Sequence, residues 1–207
     1  MEGRKAEKEI IKKLQARQKL VVVGDGCVGK TSLLHAFCER RFQEHHEPTV
    51  FENYISTVVV NKKEIQMSLW DTAGQEDLDR LRPLCYSDAD VILICFSLVD
   101  TTSFLNVANK WRPEIHHYCP AIPTILVGTK SDLRKVEKSR EFLLKYGQGA
   151  IQTEEGKAMA TRIAADSYCE CSAKSFEGVD DVFQAAATAA LKTRKRNGTL
   201  STFCHLQ

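Results

Sequence analysis

The chain has 207 residues, of which 43% are apolar and 27% are charged, and this composition is typical of one soluble globular domain with a sizeable core. It contains no run of about 18 apolar residues and no apolar secretory h-region, so we expect neither a membrane span nor secretion, but a cytosolic protein. The net charge of +2 conceals two basic ends, which suit nucleic acid, an anionic membrane or neither.

Residues 1–17 form a basic N-terminal extension ahead of the predicted domain at residues 18–192. Residues 1–19 carry seven Lys or Arg against three Glu. Ile10, Ile11 and Leu14 stand among these charges and would make only a weakly amphipathic helix, so we expect a solvated extension.

The first predicted strand is the continuous apolar run at 20–23, and the loop after it has the pattern Gly24-x-x-x-x-Gly29-Lys30-Thr31. A strand, loop and helix of this kind cradle phosphate, because the glycines let successive backbone N–H groups converge and the helix start adds its own free N–H groups. Lys30 supplies a positive charge for the β- and γ-phosphates, and the Thr31 hydroxyl can bind Mg²⁺.

Cys27 occupies a variable position of this loop and raises the alternative of a nucleophilic thiol. A nucleophilic cysteine needs a base at hand, and none is nearby in the sequence. We therefore expect Cys27, like most of the eight cysteines, to be an inert free thiol of a reducing compartment.

Two further strands are predicted at 54–60 and 64–71, and the short connection between them indicates a hairpin that brings one antiparallel strand into the sheet. The second strand ends at Asp71, whose carboxylate can hold Mg²⁺ through water. Gly74 follows with an N–H free to meet a γ-phosphate. Gln75 can orient an attacking water, because its amide both donates and accepts hydrogen bonds.

The remaining elements alternate along the chain. The apolar runs at 91–96 and 125–127 are predicted strands covered on both faces, and 102–119 and 179–191 are predicted amphipathic helices. This order favours an α/β fold with a mostly parallel sheet and helices on both faces.

The sequence "GTKSD" at 128–132 indicates which base is bound. The two carboxylate oxygens of Asp132 match the paired N–H donors on the edge of guanine, which adenine lacks. A surface ion pair between Lys130 and Asp132 is the alternative, but the phosphate loop and the D-x-x-G-Q pattern favour the guanine site. The sequence "CSAK" at 171–174 adds backbone N–H groups that can reach the guanine carbonyl.

These motifs, in this order and at this spacing, resemble those of the Ras superfamily of small GTPases and, within it, the Rho family. The resemblance covers residues 18–192, and it implies a P-loop NTPase G domain with a mostly parallel six-stranded sheet and one antiparallel strand. "PTVFENY", "DRLRPL" and the segment 133–154, which resembles the Rho insert helix, are typical of the Rho branch. The motifs that carry the resemblance are "GDGCVGKTSLL", "PTVFENY", "WDTAGQEDLDRLRPL", "GTKSDLR" and "ECSAK".

The resemblance implies a role for each matching residue. Gln75 would be the catalytic residue, residues 72–86 would form switch II, and Trp70 would contact exchange factors. Phe42 would pack on the base, although Phe42 and Trp70 could also be ordinary core residues. Mg²⁺ would be held by Thr31, Thr49 and, through water, Asp71. Effectors would bind Thr49, Val50, Phe51, Glu52, Asn53 and Tyr54. GTP or GDP would be bound by Asp25, Gly26, Cys27, Val28, Gly29, Lys30, Thr31, Ser32, Phe42, Thr49, Asp71, Gly74, Thr129, Lys130, Asp132, Ser172, Ala173 and Lys174.

Two positions depart from the family pattern. His46 stands where the family has a switch I tyrosine, and Leu78 replaces the tyrosine of switch II. Both lie on surfaces that face partners, so they leave the nucleotide chemistry intact and put the identity of regulators and effectors in doubt. His46 could add pH sensitivity near neutrality, although an exposed histidine without such a role is the favoured interpretation.

Residues 193–207 form a predicted flexible, basic tail that ends in "STFCHLQ". Cys204 is fourth from the end and fits a C-a-a-X prenylation motif, with Gln207 favouring farnesyl. "KTRKR" at 192–196 supplies the second signal that a single lipid needs for stable anchoring. The tail therefore favours an anionic membrane over nucleic acid, on the cytoplasmic face of the plasma membrane or of endomembranes.

The resulting hypothesis is a membrane-associated GTP switch with slow intrinsic hydrolysis, and the Rho resemblance implies a role in actin signalling. The partners implied are exchange factors, GTPase-activating proteins, effectors that bind the GTP form and a guanine nucleotide dissociation inhibitor. The alternative is a non-cycling module that stays bound to GTP, which the presence of both Gly26 and Gln75 disfavours. A P-loop kinase is disfavoured by "TKSD" and by the lack of an arginine-rich, lid-like segment in the sequence.

Overall fold

The computed structural model describes residues 17–43, 49, 51–75, 78–137, 141, 144–145 and 149–203, with side chains as far as residue 193. Six strands form one sheet in the order β2-β3-β1-β4-β5-β6. Every pairing is parallel except that of β2 with β3, as predicted. The elements are β1 (Arg17–Val23), α1 (Lys30–Glu39), β2 (Phe51–Val60), β3 (Lys63–Thr72), a 3₁₀ turn (Arg82–Tyr86), β4 (Val91–Ser97), α2 (Thr101–Asn106), a π turn (Val107–Trp111), α3 (Arg112–Tyr118), β5 (Thr124–Thr129), a second 3₁₀ turn (Ser131–Lys135), α4 (Thr153–Arg162), β6 (Ser167–Glu170) and α5 (Val179–Phe203).

The central strands are buried on both faces, which explains their continuous apolar runs. Leu20 and Val22 of β1 pack into a core under α1 and α5, whereas Val21 and Val23 pack into a second core under α2, α3 and α4. All seven residues of β4 are buried. Parallel strands buried in this way show no alternation of polar and apolar residues, because neither face meets water.

The predicted hairpin is confirmed, with a turn of two residues. Phe51 pairs with Thr72 at one end and Val60 with Lys63 at the other, so the register holds along both strands. Asn61 and Lys62 both have positive φ, as a tight two-residue hairpin turn requires.

The last helix is longer than predicted. It begins at Val179 as expected but continues past residue 191 to Phe203, through part of the segment that we predicted to be flexible. Lys and Arg are good helix formers and no proline interrupts this segment, so the helix can continue through it. None of the helices in the described part of the chain is long and apolar enough to cross a membrane.

Several predictions concern residues outside the described ranges. These are the extension before Arg17, the substitution at His46, the effector residue Val50 and the lipidation residue Cys204. Parts of the predicted insert segment also lie outside them, at residues 138–140, 142–143 and 146–148.

The sheet brings the predicted motifs to one edge. β1, β3, β4 and β5 run in the same direction, so the loops that follow their carboxyl ends meet there. The phosphate loop follows β1, "DTAGQ" spans the end of β3, and "KSD" follows β5. Ligands of α/β proteins bind at this edge of the sheet.

Candidate functional site

A cavity of about 570 Å³ lies at this edge, which is a volume suited to a small-molecule ligand. The structure places most of the predicted site residues on its wall: Gly26, Cys27, Gly29, Lys30, Thr31, Ser32, Phe42, Thr49, Gly74, Gln75, Thr129, Lys130, Asp132, Ala173 and Lys174. Sequence reasoning missed Leu33, Gln43, Thr72, Leu133 and Cys171, which also line it. Each of the five lies in a segment that also contains predicted site residues. Motif matching therefore identified the segments that line the cavity but not every residue of them that does so.

The phosphate loop curls because three of its residues have positive φ: Gly24, Cys27 and Gly29. At Gly24 a Cβ atom would lie 2.2 Å from the carbonyl oxygen of Cys95, so only glycine lets the loop leave β1 so close to β4. The loop ends at α1, whose first residue is Lys30. The helix N-terminus therefore opens into the cavity and can receive an anion.

The buried Lys30 ammonium lies within the curl of the loop. Its Nζ donates to the carbonyl oxygens of Gly24 at 2.8 Å and Asp25 at 2.7 Å. Burial lowers the pKa of Lys30, and the charge of Asp71 opposes that shift. Lys30 is thus a cation held at the wall of the cavity, where it can meet phosphate oxygens.

Three oxygen ligands meet next to Lys30. The Thr31 hydroxyl lies 2.8 Å from the Thr49 hydroxyl and donates to Asp71 Oδ2 at 2.5 Å. Asp71 is fully buried, and its Oδ1 has no hydrogen-bond partner within the described residues. Burial raises the pKa of Asp71, against the effects of Thr31 and Lys30. Two hydroxyls and a buried carboxylate with a free oxygen are hard ligands, and they fit Mg²⁺.

The other end of the cavity is held by side-chain hydrogen bonds. Ser172 Oγ donates to Asp132 Oδ1 at 2.6 Å and fixes the orientation of this carboxylate. Lys130 Nζ donates to the carbonyl oxygen of Cys27 at 2.7 Å, so it ties this end to the phosphate loop and does not form the surface ion pair with Asp132. We predicted backbone contacts for Ser172, and its side chain adds a positioning role.

Phe42 and Lys174 form the rim on this side. The Lys174 ammonium lies 6.0 Å from the centroid of the Phe42 ring. Both residues line the cavity, so Phe42 is partly exposed and is not ordinary core.

Cys27 takes part in the loop through its backbone, and the inertness of its thiol stays a prediction. The residue is exposed, and its carbonyl oxygen receives the hydrogen bond from Lys130. Elsewhere, burial raises the pKa of Cys95 to about 12 and that of Cys38 to about 11, so these thiols stay protonated. The seven cysteines within the described ranges are free.

Four predicted nucleotide-binding residues do not line the cavity: Asp25, Val28, Asp71 and Ser172. The Asp25 carboxylate turns away from it, because Oδ1 accepts from Trp111 Nε1 at 2.6 Å and Oδ2 accepts from Asn106 Nδ2 at 2.7 Å. The Asp25 side chain therefore supports the phosphate loop from the helix side, and the nucleotide contact predicted for this residue stays a prediction. No feature of the phosphate-loop motif signals that its partner is a helix about eighty residues later in the chain.

The predicted partner surfaces are exposed beside the cavity. Phe51 is 43% exposed and packs edge-on against Trp70, whose ring also lies 3.6 Å from the Lys19 ammonium. Leu81 and Leu84 of switch II are 55% and 73% exposed. Large exposed apolar side chains next to a ligand cavity are suited to protein contacts.

A protein-family model matches most of the chain. The model of the Ras family matches residues 19–192, which span the whole sheet from β1 onwards and all the motifs described above.

Proposed function

The chain belongs to the Ras family of small GTPases, and from this premise we propose that it is a Rho-type switch that binds and hydrolyses GTP at a membrane. The proposal depends on one observation about the cavity. At one end it has a carboxylate that can bind the N–H edge of guanine, and at the other end it has oxygen atoms that can bind Mg²⁺. Asp132 is oriented by Ser172 at the first end, and Thr31, Thr49 and Asp71 meet at the second.

Nucleotide selection is proposed to depend on Asp132. Its Oδ1 accepts from Ser172, which leaves lone pairs on both oxygens for two parallel N–H donors. Guanine presents such a pair and adenine does not. Lys130 holds the base-binding loop against the phosphate loop. The parts of the site that bind the base and the phosphates therefore keep a fixed distance from each other.

Hydrolysis is proposed to depend on positioning and charge, because phosphoryl transfer needs little covalent chemistry from the protein. Lys30 and the loop N–H groups hold the β- and γ-phosphates. Bound Mg²⁺, held by Thr31, Thr49 and Asp71, would neutralise charge that develops on the phosphate oxygens. Gln75 is exposed on the cavity wall, where its amide can align the attacking water.

Arginine is absent from the described cavity wall. An arginine supplied in trans by a GTPase-activating protein can accelerate this reaction by about 10³-fold or more. We therefore propose slow intrinsic hydrolysis and acceleration by such an activator. Thr49 and Gly74 would grip the γ-phosphate, and its loss would release both switches from effectors.

The Rho assignment is supported by sequence. "PTVFENY" places the exposed Phe51 on the effector surface, and "DRLRPL" supplies the exposed Leu81 and Leu84. We propose exchange factors, activators, effectors and a dissociation inhibitor as partners, with actin organisation as the process that the Rho resemblance implies.

Membrane attachment is proposed from the chain end. Cys204 would carry a prenyl group, and the basic residues at 192–196 would add electrostatic attraction to anionic lipids. The target is the cytoplasmic face of the plasma membrane or of endomembranes.

Single-turnover hydrolysis and nucleotide release on the purified protein test this function. We expect slow GTP hydrolysis and retention of GDP that depends on Mg²⁺. A preference for ATP would overturn the proposal, and GTP binding without hydrolysis, even with activators present, would favour the non-cycling alternative.

A further inference from the structure

The helical stretch from Thr101 to Tyr118 contains a π turn at Val107–Trp111. In a regular α-helix, two residues five positions apart point about 140° away from each other around the axis. The wider π turn reduces that angle, so Asn106 and Trp111 reach the same side of the stretch. Turns of this kind occur frequently at functional sites.

Both side chains bind one carboxylate of the phosphate loop. Trp111 Nε1 donates to Asp25 Oδ1 at 2.6 Å, and Asn106 Nδ2 donates to Asp25 Oδ2 at 2.7 Å. Hydrogen bonds to an ionised acceptor are short and about twice as strong as neutral ones. The π turn therefore fastens the phosphate loop next to Gly26.

The Trp111 ring also contacts switch II. The Arg82 guanidinium lies 4.6 Å from the ring centroid, and it donates to the carbonyl oxygen of Ala73 at 3.1 Å. Glu114 holds the same guanidinium through two hydrogen bonds of 2.8 Å. Burial opposes the charge of Arg82, but these hydrogen bonds outweigh burial and raise the pKa of Arg82 above its usual value.

A backbone contact also joins switch II directly to the phosphate loop. A Cβ atom at Gly74 would lie 2.4 Å from Asp25 C and from Gly26 N, so Gly74 rests directly on the peptide between those two residues. Gly74 follows Ala73, which Arg82 holds, and precedes Gln75. Trp111 therefore contacts two supports of the site. Its N–H group binds the phosphate loop, and its ring packs against the arginine that holds the segment carrying Gln75.

We infer that Trp111 is a positioning residue for GTP hydrolysis, holding the phosphate loop through its indole N–H and switch II through its ring face. This inference rests on the proposed function, because it concerns the placement of Gln75 for that reaction. It goes beyond ordinary core packing, which would require the ring of Trp111 but not its N–H group.

Trp111→Phe tests the two explanations together with the control below, because it keeps an aromatic ring in the core and removes the donor to Asp25, while the control matches the loss of buried volume that accompanies it. We expect single-turnover hydrolysis of preloaded GTP to slow by about tenfold, which is the effect of one hydrogen bond to a charged group. Asp25→Ala removes the acceptor of both Trp111 and Asn106 and should slow hydrolysis by at least as much. The double variant should be no slower than Asp25→Ala, since Asp25→Ala already removes the hydrogen bond that Trp111→Phe removes.

Val107→Ala is the matched control. Val107 is fully buried in the same π turn and in the same core, and its side chain has no polar group that could bind the Asp25 carboxylate. It should lower the thermal midpoint and leave the hydrolysis rate unchanged.

Three results would overturn the inference: a wild-type rate in Trp111→Phe or in Asp25→Ala, multiplicative effects in the double variant, or equal slowing in Val107→Ala. Asp25→Ala keeps the test decisive if Trp111→Phe does not fold. If the unmodified protein does not hydrolyse GTP, the proposed function itself fails, and that result is distinguishable from an active protein whose rate ignores Trp111.

Discussion

Two glycines near the reacting phosphate differ in what surrounds them. A Cβ atom at Gly26 would meet nothing within 4 Å, whereas one at Gly74 would collide with the backbone of the phosphate loop. A side chain at Gly26 therefore occupies open cavity and leaves the fold intact. Such a side chain should instead slow GTP hydrolysis, because Gln75 and an incoming arginine need that space.

Gly26→Val should consequently keep the thermal midpoint and GTP binding of the unmodified protein. Activators accelerate this class of reaction by about 10³-fold or more, and Gly26→Val should abolish most of that acceleration. Hydrolysis with and without an activator protein measures the effect. Cys27→Ala is the neighbouring control and should respond normally to the activator; normal stimulation of Gly26→Val would contradict the argument.

The hydrogen bond from Ser172 to Asp132 gives a second prediction at this scale. Ser172→Ala removes the donor but leaves the carboxylate, so GTP affinity should fall by about tenfold while guanine remains preferred over adenine. Asp132→Asn should instead weaken guanine binding strongly and permit xanthine. Competition binding with GTP, XTP and ATP distinguishes the two variants, and unchanged GTP affinity in both would refute the base assignment.

The roles of residues that bind the ligand through a specific chemical group could be predicted from the sequence. The roles of residues that support the site through a partner in a distant part of the chain could not. Lys30, Thr31 and Asp132 were identified because phosphate, Mg²⁺ and guanine each require a particular group at a particular spacing. The partners of the Asp25 carboxylate could not be predicted, because a phosphate-loop sequence is the same whether this side chain faces the ligand or a helix. Trp111 was not singled out, since a buried tryptophan on an amphipathic helix is typical of ordinary core.

At the scale of elements, prediction succeeded where one local pattern determines the structure. The hairpin follows from two strands joined by a few residues, and the continuous runs at β1, β4 and β5 follow from burial on both faces. The π turn is different, because its only trace is that the buried positions Ser103, Val107, Trp111 and Ile115 recur every four residues, a spacing that a regular amphipathic helix also shows over a few turns. The extension of α5 was missed because the apolar pattern ends before the helix does.

The link between β6 and the base-binding loop gives a prediction with a pH dependence. Arg134 makes hydrogen bonds of 2.8 and 2.9 Å to Glu170, which also accepts from Tyr168 at 2.7 Å. Burial alone would raise the pKa of Glu170, but these hydrogen bonds outweigh it and hold the pKa below its usual value. The pair therefore stabilises the fold above the unfolded pKa of about 4.3, and this stabilisation is lost as the pH falls through the lower folded pKa.

Glu170→Gln should accordingly lower the free energy of unfolding by about 1–2 kcal/mol at pH 7. The difference from the unmodified protein should shrink as the pH falls from about 4.3 through the lower folded pKa of Glu170, because the carboxyl is then neutral in the folded and in the unfolded chain. Urea unfolding at several pH values measures it. The exposed pair of Arg40 with Asp180 is the control, and Asp180→Asn should cost less than about 1 kcal/mol; a Glu170→Gln deficit that is independent of pH would contradict the assignment.

At the scale of the whole molecule, the cavity is a product of topology. Its walls come from the ends of β1, β3 and β5 and from segments near residues 42 and 173, which no local pattern brings together. A parallel sheet order with all carboxyl ends at one edge does so. The site could therefore be predicted as a set of motifs, but its hydrogen-bonded supports could be seen only in the folded chain.

The last prediction concerns where this molecule works. The last helix, α5, continues through the basic residues at 192–196 to Phe203. One prenyl chain on Cys204 would give only marginal membrane binding, and each basic residue near an anionic surface would add about 1 kcal/mol. Cys204→Ser should therefore move the protein to the soluble fraction, whereas replacing the basic residues at 194–196 by glutamine should weaken attachment in proportion to the anionic lipid content. Flotation with vesicles of graded phosphatidylserine content, using lipidated protein from cells, measures both; membrane attachment of Cys204→Ser equal to that of the unmodified protein would show that another anchor exists.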